Sequence, residues 1–167
     1  MIRDTPIQKH WLDAFVTLFD LCKASPDETN VILAETHSRP VLVELAQHAL
    51  THHAVSFEII EVETKPAHCL PIIRSTGAST ALTGETAVVE RLCAANLIID
   101  LTIEGLMHAP QTPQILQAGA RIMTISNEHP DILARLVPEL AMRDKVKQAV
   151  TACRNADYMQ ITSSAGT

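Results

Sequence analysis

Hydrophobic positions along this chain switch repeatedly between a helical and a strand-like spacing. From Ile7 to Ala24 the residues Trp11, Leu12, Phe15, Leu18, Phe19 and Cys22 recur at three- and four-residue steps, the stripe of an amphipathic helix. Ser25, Pro26, Asp27 and Glu28 end it. Residues 30–36, NVILAET, are then a compact apolar strand. Ser38 fits an N-cap and Pro40 an early position of a helix reaching about His53. Val55 to Val62 is a second run of strand length, and residues 64–79 break the pattern with Pro66, Pro71 and Gly77. After Gly84 a helical pattern places Val88, Leu92 and Ala95 on one face and leads directly into the next apolar run.

The stretch from Asn96 to Asn127 is the most informative part of the chain. Leu97, Ile98, Ile99 and Leu101 form a run too brief for a helix, as do Ile122, Met123 and Ile125, and both read as buried parallel strands. Between them Pro110 and Pro113 suit a first helical turn and Gly119 the residue just past a helix end. Beyond, Asn127 or Glu128 opens a short helix through Leu136, and Pro138 separates it from a longer one over about 139–155. Tyr158 to Thr162, YMQIT, reads as a last strand. This alternation predicts one α/β domain over residues 1–167: a three-layer, doubly wound, mostly parallel sheet of about five strands with helices on both faces. Ligands in such folds sit at the carboxyl ends of the strands, which here singles out the loop Thr102 to Ala109 with Glu104, Gly105, Met107 and His108.

Composition narrows the function classes. With 167 residues, of which 47% are hydrophobic and 19% charged, the chain is long enough for one well-packed domain and short for two. A net charge of −6 and no Lys/Arg stripe argue against a nucleic-acid partner. No apolar stretch approaches a membrane span, and Cys22, Cys69, Cys93 and Cys153 are scattered without a CxxC pair. These features predict a soluble, cytoplasmic protein with buried, reduced thiols.

Candidate chemistry is sparse. The turn after residues 30–36 is His37-Ser38-Arg39-Pro40, without the clustered glycines of a dinucleotide or phosphate loop. Ser38 and Arg39 fit an anion site or an ordinary cap with a solvated arginine, and such caps are far commoner. His48, His52 and His53 crowd a helix end, where interaction with the dipole and last carbonyls accounts for them without a metal; His68 and Cys69 lack further ligands at a known spacing. Asp100, Glu104 and His108 fit an acid–base set, but Asp100 fits equally well as an acceptor of backbone N–H groups at a strand end. Among them His108 is favoured for ligand contact, with a plain helix-entry role for residues 106–110 (LMHAP) fitting equally well, and Ser75, Thr76, Ser79, Thr80 and Thr83 lack the GxSxG elbow of a serine nucleophile.

Four segments carry a family resemblance: Ala81-Leu82-Thr83-Gly84, residues 95–100 (ANLIID), Met107-His108-Ala109-Pro110, and residues 131–138 (DILARLVP). With the rest of residues 81–139, and more weakly from the first helix to Thr167, the chain resembles the amino-terminal half of the 2,5-dihydroxypyridine 5,6-dioxygenases of nicotinate breakdown, which are similar in fold to metal-dependent aminopeptidases. The resemblance implies a mononuclear Fe(II) enzyme that opens the pyridine ring to N-formylmaleamate. Its iron ligands, two histidines and a carboxylate, lie in the carboxyl-terminal half and cannot be placed on residues of this chain. Residues 1–167 are therefore expected to form the non-metal domain, without a metal or catalytic residue of its own and inactive alone. Met107 and His108 would wall the cleft for an aromatic substrate, and the partner would be a carboxyl-terminal metal domain. Apolar surface left for that domain would also promote homo-oligomers. The alternatives are the same domain of a metallo-aminopeptidase and a stand-alone module for a small ligand or protein partner.

Overall fold

The computed structural model describes residues 6–66 and 76–166. The elements run α1 (Lys9–Leu21), β1 (Asn30–Glu35), α2 (Pro40–His52), β2 (Phe57–Val62), α3 (Thr86–Cys93), β3 (Leu97–Asp100), α4 (Thr112–Gln117), β4 (Arg121–Thr124), α5 (Pro130–Arg135) and α6 (Met142–Arg154). The described residues form two units, one ending at Val137 and one beginning at Pro138.

In the first unit all four strands are parallel, in the order β2-β1-β3-β4. Every residue of β1 and β3 is buried, as expected of central strands covered on both faces. Alternate side chains feed two cores. Ile32, Leu97 and Ile99 pack with Trp11, Phe15 and Phe19 of α1 and with Leu42, Leu45 and Leu50 of α2. Val31, Leu33 and Ile98 pack on the other face with Ile60 and Val62 of β2, Val89 and Leu92 of α3, and Ile115 of α4. The register Ile32↔Ile99 and Val31↔Ile98 keeps each pair on one face. The doubly wound architecture is thus as the spacing predicts.

Three local expectations differ. The sheet has four strands among the described residues, because residues 158–162 form no strand and pair with no neighbour. Strand composition describes a side chain's fit to a pleated, half-buried surface, and that surface is not supplied to Tyr158 or Ile161, both exposed. Ser38 does not cap α2. Arg39 is the N-cap, while the Ser38 hydroxyl donates to the Leu101 carbonyl at 2.7 Å and accepts from the Glu35 N–H at 2.8 Å. The thiols of Cys22, Cys93 and Cys153 are free, but Cys153 is exposed and the other two only partly buried.

The second unit contains α6 and the irregular segment that follows. Not one residue of α6 is buried. An isolated bridge between Ser163 and Gly166 closes a tight turn at the end of that segment.

Candidate functional site at the carboxyl ends of the strands

Chain connections leave β1 toward β2 on one side and reach β3 on the other, so the loops after β1 and β3 diverge at a topological switch point. Both strands end in a carboxylate. Asp100 closes β3 with no exposed surface, and Glu35 closes β1 at 6% exposure. Each is committed to the loop after β3. Asp100 Oδ1 accepts from the Thr102 N–H at 3.0 Å and the Thr102 hydroxyl at 2.6 Å; its Oδ2 accepts from the Leu106 N–H at 2.7 Å. Glu35 crosses the switch point, its Oε1 accepting from the Ile103 N–H at 2.9 Å, beside the bond from Ser38 to Leu101.

These contacts decide how the carboxyls titrate. Burial pushes the Asp100 carboxyl above its usual range, opposed by the donors from Thr102 and Leu106. Burial likewise raises Glu35, and the nearby charges of Asp100 and Glu104 add to that shift, against the Ile103 N–H and the Thr64 hydroxyl. Of the two readings of Asp100, the geometry selects the acceptor of backbone N–H groups. Its bonds shape the loop and are not directed at His108.

A second segment braces the loop from outside. The Gly77 N–H donates to the Glu104 carbonyl at 2.6 Å, the His108 N–H donates to the Gly77 carbonyl, and the Ser79 N–H donates to the Gly105 carbonyl at 2.9 Å. Thr76 adds its hydroxyl to the Glu104 carboxylate. Gly77 has φ +72°, and a Cβ on it would lie 3.2 Å from His108 Cδ2 and 3.4 Å from Met107 Cβ. The positive φ favours glycine there, and a Cβ would also crowd the imidazole. The Thr112 hydroxyl, donating to the Leu106 carbonyl, ties the far end of the loop to α4.

What this framework presents outward is Met107, at 64% exposure, and His108, also exposed. The rim after β1 carries exposed Thr36, His37 and Arg39. Arg39 is held to Asn127 in the loop after β4, through its N–H to Oδ1 at 2.9 Å and its Nε to the carbonyl at 2.8 Å. Thr36 and Thr64 join the ends of β1 and β2 through their hydroxyls at 3.1 Å. An imidazole and a thioether fixed on a braced loop can line a binding cleft. The loop's buried acids are already engaged by its own donors.

Other sequence candidates fall elsewhere. His53 packs toward α1, with Nε2 3.1 Å from the Val16 carbonyl and Nδ1 3.6 Å from Asp20, while His48 and His52 are exposed. Their helix-end role is structural for His53. His68, Cys69 and Ser75 lie outside the described residues. Sequence reasoning missed Glu35, Ser38 in its actual role, and Gly77. For Glu35 a signal existed: an acid closing an otherwise apolar strand next to a switch point.

No helix among the described residues is long and apolar enough to cross a membrane. Residues 10–167 match the family model of 2,5-dihydroxypyridine 5,6-dioxygenase. The 2,5-dihydroxypyridine 5,6-dioxygenase of Pseudomonas putida KT2440 is 29% identical over 157 residues, which are 91% of this chain and 43% of that protein. A solved structure of the 2,5-dihydroxypyridine dioxygenase from the same organism superposes with a TM-score of 0.79 at 27% identity, covering 97% of this chain and 47% of the other. The chain thus spans less than half the length of these relatives. With the match extending from α1 through the strand-end loops to Thr167, this chain belongs to the 2,5-dihydroxypyridine 5,6-dioxygenase family.

Proposed function

We propose that this chain is the non-metal, amino-terminal domain of an Fe(II)-dependent 2,5-dihydroxypyridine 5,6-dioxygenase of nicotinate breakdown, and that its braced loop walls the substrate cleft. The observation that carries the reading is the position of that loop: buried acids from both sides of the switch point lock it, and Met107 and His108 face outward from it. A thioether suits the face and edge of a flat aromatic ring, and an imidazole suits a ring hydroxyl. The role assigned to these residues is to bind and orient the pyridine and to keep water from it.

The iron belongs to the other half in this reading. Among the described residues no three His, Cys, Asp or Glu side chains converge where an ion could be held, and the oxygens of Asp100 already face N–H and hydroxyl donors. The donors that engage Asp100 support leaving the iron to the other half. When bound in the complete enzyme, Fe(II) would supply the activation of dioxygen that opens the ring.

The test is a fusion in which residues 1–167 replace the matched part of the P. putida enzyme. With Fe(II) it should consume oxygen and 2,5-dihydroxypyridine, while the 167-residue chain alone should not. His108→Ala in the fusion should raise KM about tenfold, the effect of one lost polar contact of roughly 1.4 kcal/mol. Turnover by the short chain alone would overturn the division of labour, and unchanged kinetics in His108→Ala would remove His108 from the cleft.

A further inference from the structure

The second unit carries an apolar surface that its own residues do not cover. Met142, Val146 and Val150 stand four apart on α6, a single helical stripe, while Arg143, Asp144, Lys145, Lys147 and Gln148 lie among the positions between them. Val146 is 54% exposed and Val150 43%. In a helix whose stability rests on burying an amphipathic face, such a stripe calls for a partner. Residues 158–162 repeat the situation in a segment of strand-like composition. Tyr158 is 81% exposed, Met159 and Ile161 are exposed two positions apart, and the segment has no ladder neighbour. The run ends in the Ser163–Gly166 turn, where the Ser163 N–H donates to the Gly166 carbonyl at 2.8 Å and the Gly166 N–H returns to the Ser163 carbonyl at 3.1 Å.

We propose that this unit is a two-part docking element for the half of the enzyme that the chain does not match: residues 158–162 join a sheet of that half as a strand, and the Met142–Val146–Val150 stripe packs on it. The proposal rests on the reading of the chain as one domain of a longer dioxygenase. The solved P. putida enzyme covers 97% of this chain, so the unit lies within the shared fold, and more than half of that enzyme lies outside the match. An unpaired strand of β-rich composition recruits a neighbour through its free N–H and C=O groups, and pockets for alternate side chains set the register. A second copy of this chain is the competing occupant. It would need a self-complementary face about a two-fold axis, a requirement the longer enzyme does not impose.

Hydrogen exchange tests this in the fusion and in the 167-residue chain. Amides of residues 158–162 should exchange on the order of tenfold or more slowly in the fusion than in the isolated chain. Val146→Glu with Val150→Lys should remove most of that difference. Equal exchange in both proteins overturns the proposal, as does protection in the isolated chain that disappears on dilution, which would identify a second copy as the occupant. An independent arm mixes the 167-residue chain with the unmatched part of the P. putida enzyme made as a separate polypeptide. Co-elution that the double variant abolishes supports docking; its absence, or co-elution indifferent to the variant, overturns it. Turnover is scored separately: protection without turnover of 2,5-dihydroxypyridine refutes the substrate reading alone, and turnover without protection refutes the docking element alone.

Discussion

The loop after β3 and the chain beyond Pro138 are opposite in construction. In the loop, residues 101–103, 105 and 106 are buried, and the side chains of Asp100, Glu35, Ser38 and Thr112 each take or give a bond to its backbone. In the later unit α6 buries no residue, and its apolar side chains, with those of the segment after it, are exposed. Irregular backbone can be as fixed as a helix when every buried polar group has a partner. Regular structure whose apolar face is open has its reasons outside itself. The first region is a finished part; the second is half of an interface.

The strongest way to break that contrast is to remove the acid on which the loop turns. Asp100→Ala leaves the buried N–H groups of Thr102 and Leu106 without their acceptor, and each such orphan costs about 1–3 kcal/mol. Removing a carboxylate whose burial is unfavourable offsets part of this. The net expectation is a loss of about 3 kcal/mol, read as a lower urea midpoint with an unchanged slope. A variant within 0.5 kcal/mol of wild type, an effect of about the size of an ordinary surface substitution, would mean the loop holds its shape without Asp100.

Glu35→Gln makes a gentler cut, because an amide oxygen can still accept from Ile103. Stability at pH 7 should change by less than about 1.5 kcal/mol, and the informative quantity is its dependence on pH. Glu35 has a raised carboxyl in the folded state. Between the unfolded and folded pKa values the native protein therefore binds the additional proton, so the stability contributed by this group is highest at acid pH and falls as pH rises through the folded pKa. The wild-type minus Glu35→Gln difference should decline from mildly acid toward neutral pH and then level. Glu28 and Asp131, both lowered by hydrogen-bonded partners, titrate with the opposite sign at lower pH and cancel in the difference. A flat difference would show that Glu35 is not held in a desolvated site.

Much of this was legible in the sequence, for identifiable reasons. Period and run length located the four strands and the helices because burial in a doubly wound sheet demands those patterns on both faces. The loop between β3 and α4 could be chosen as the site because strand ends are where such sheets bind ligands. What could not be read was how its polar groups pair. Asp100 allowed two roles until the positions of the Thr102 and Leu106 N–H groups decided between them. Glu35 and Gly77 act on the loop from 68 and 31 positions away from Ile103 and His108, a proximity that only the fold creates. The last strand expected at residues 158–162 does not form, because a strand is a relation between two segments and composition describes only one of them.

The smallest expected effect is the sharpest test of the contrast. In the 167-residue chain, Val146→Glu with Val150→Lys exchanges two exposed β-branched residues for better helix formers. It also places an acid four residues before a base, an arrangement favoured by the side-chain pair. If this face is open, thermal stability should be unchanged or should rise by a few tenths of a kcal/mol, about the size of one such pair. If instead the stripe is covered within the chain, introducing two charged groups into packed apolar surface should cost several kcal/mol, on the order of the penalty for burying unpaired charges. Calorimetry at several protein concentrations separates the cases. A concentration-independent loss would place the partner of α6 within its own chain, and an unchanged melting temperature leaves the stripe free for the other half of the enzyme.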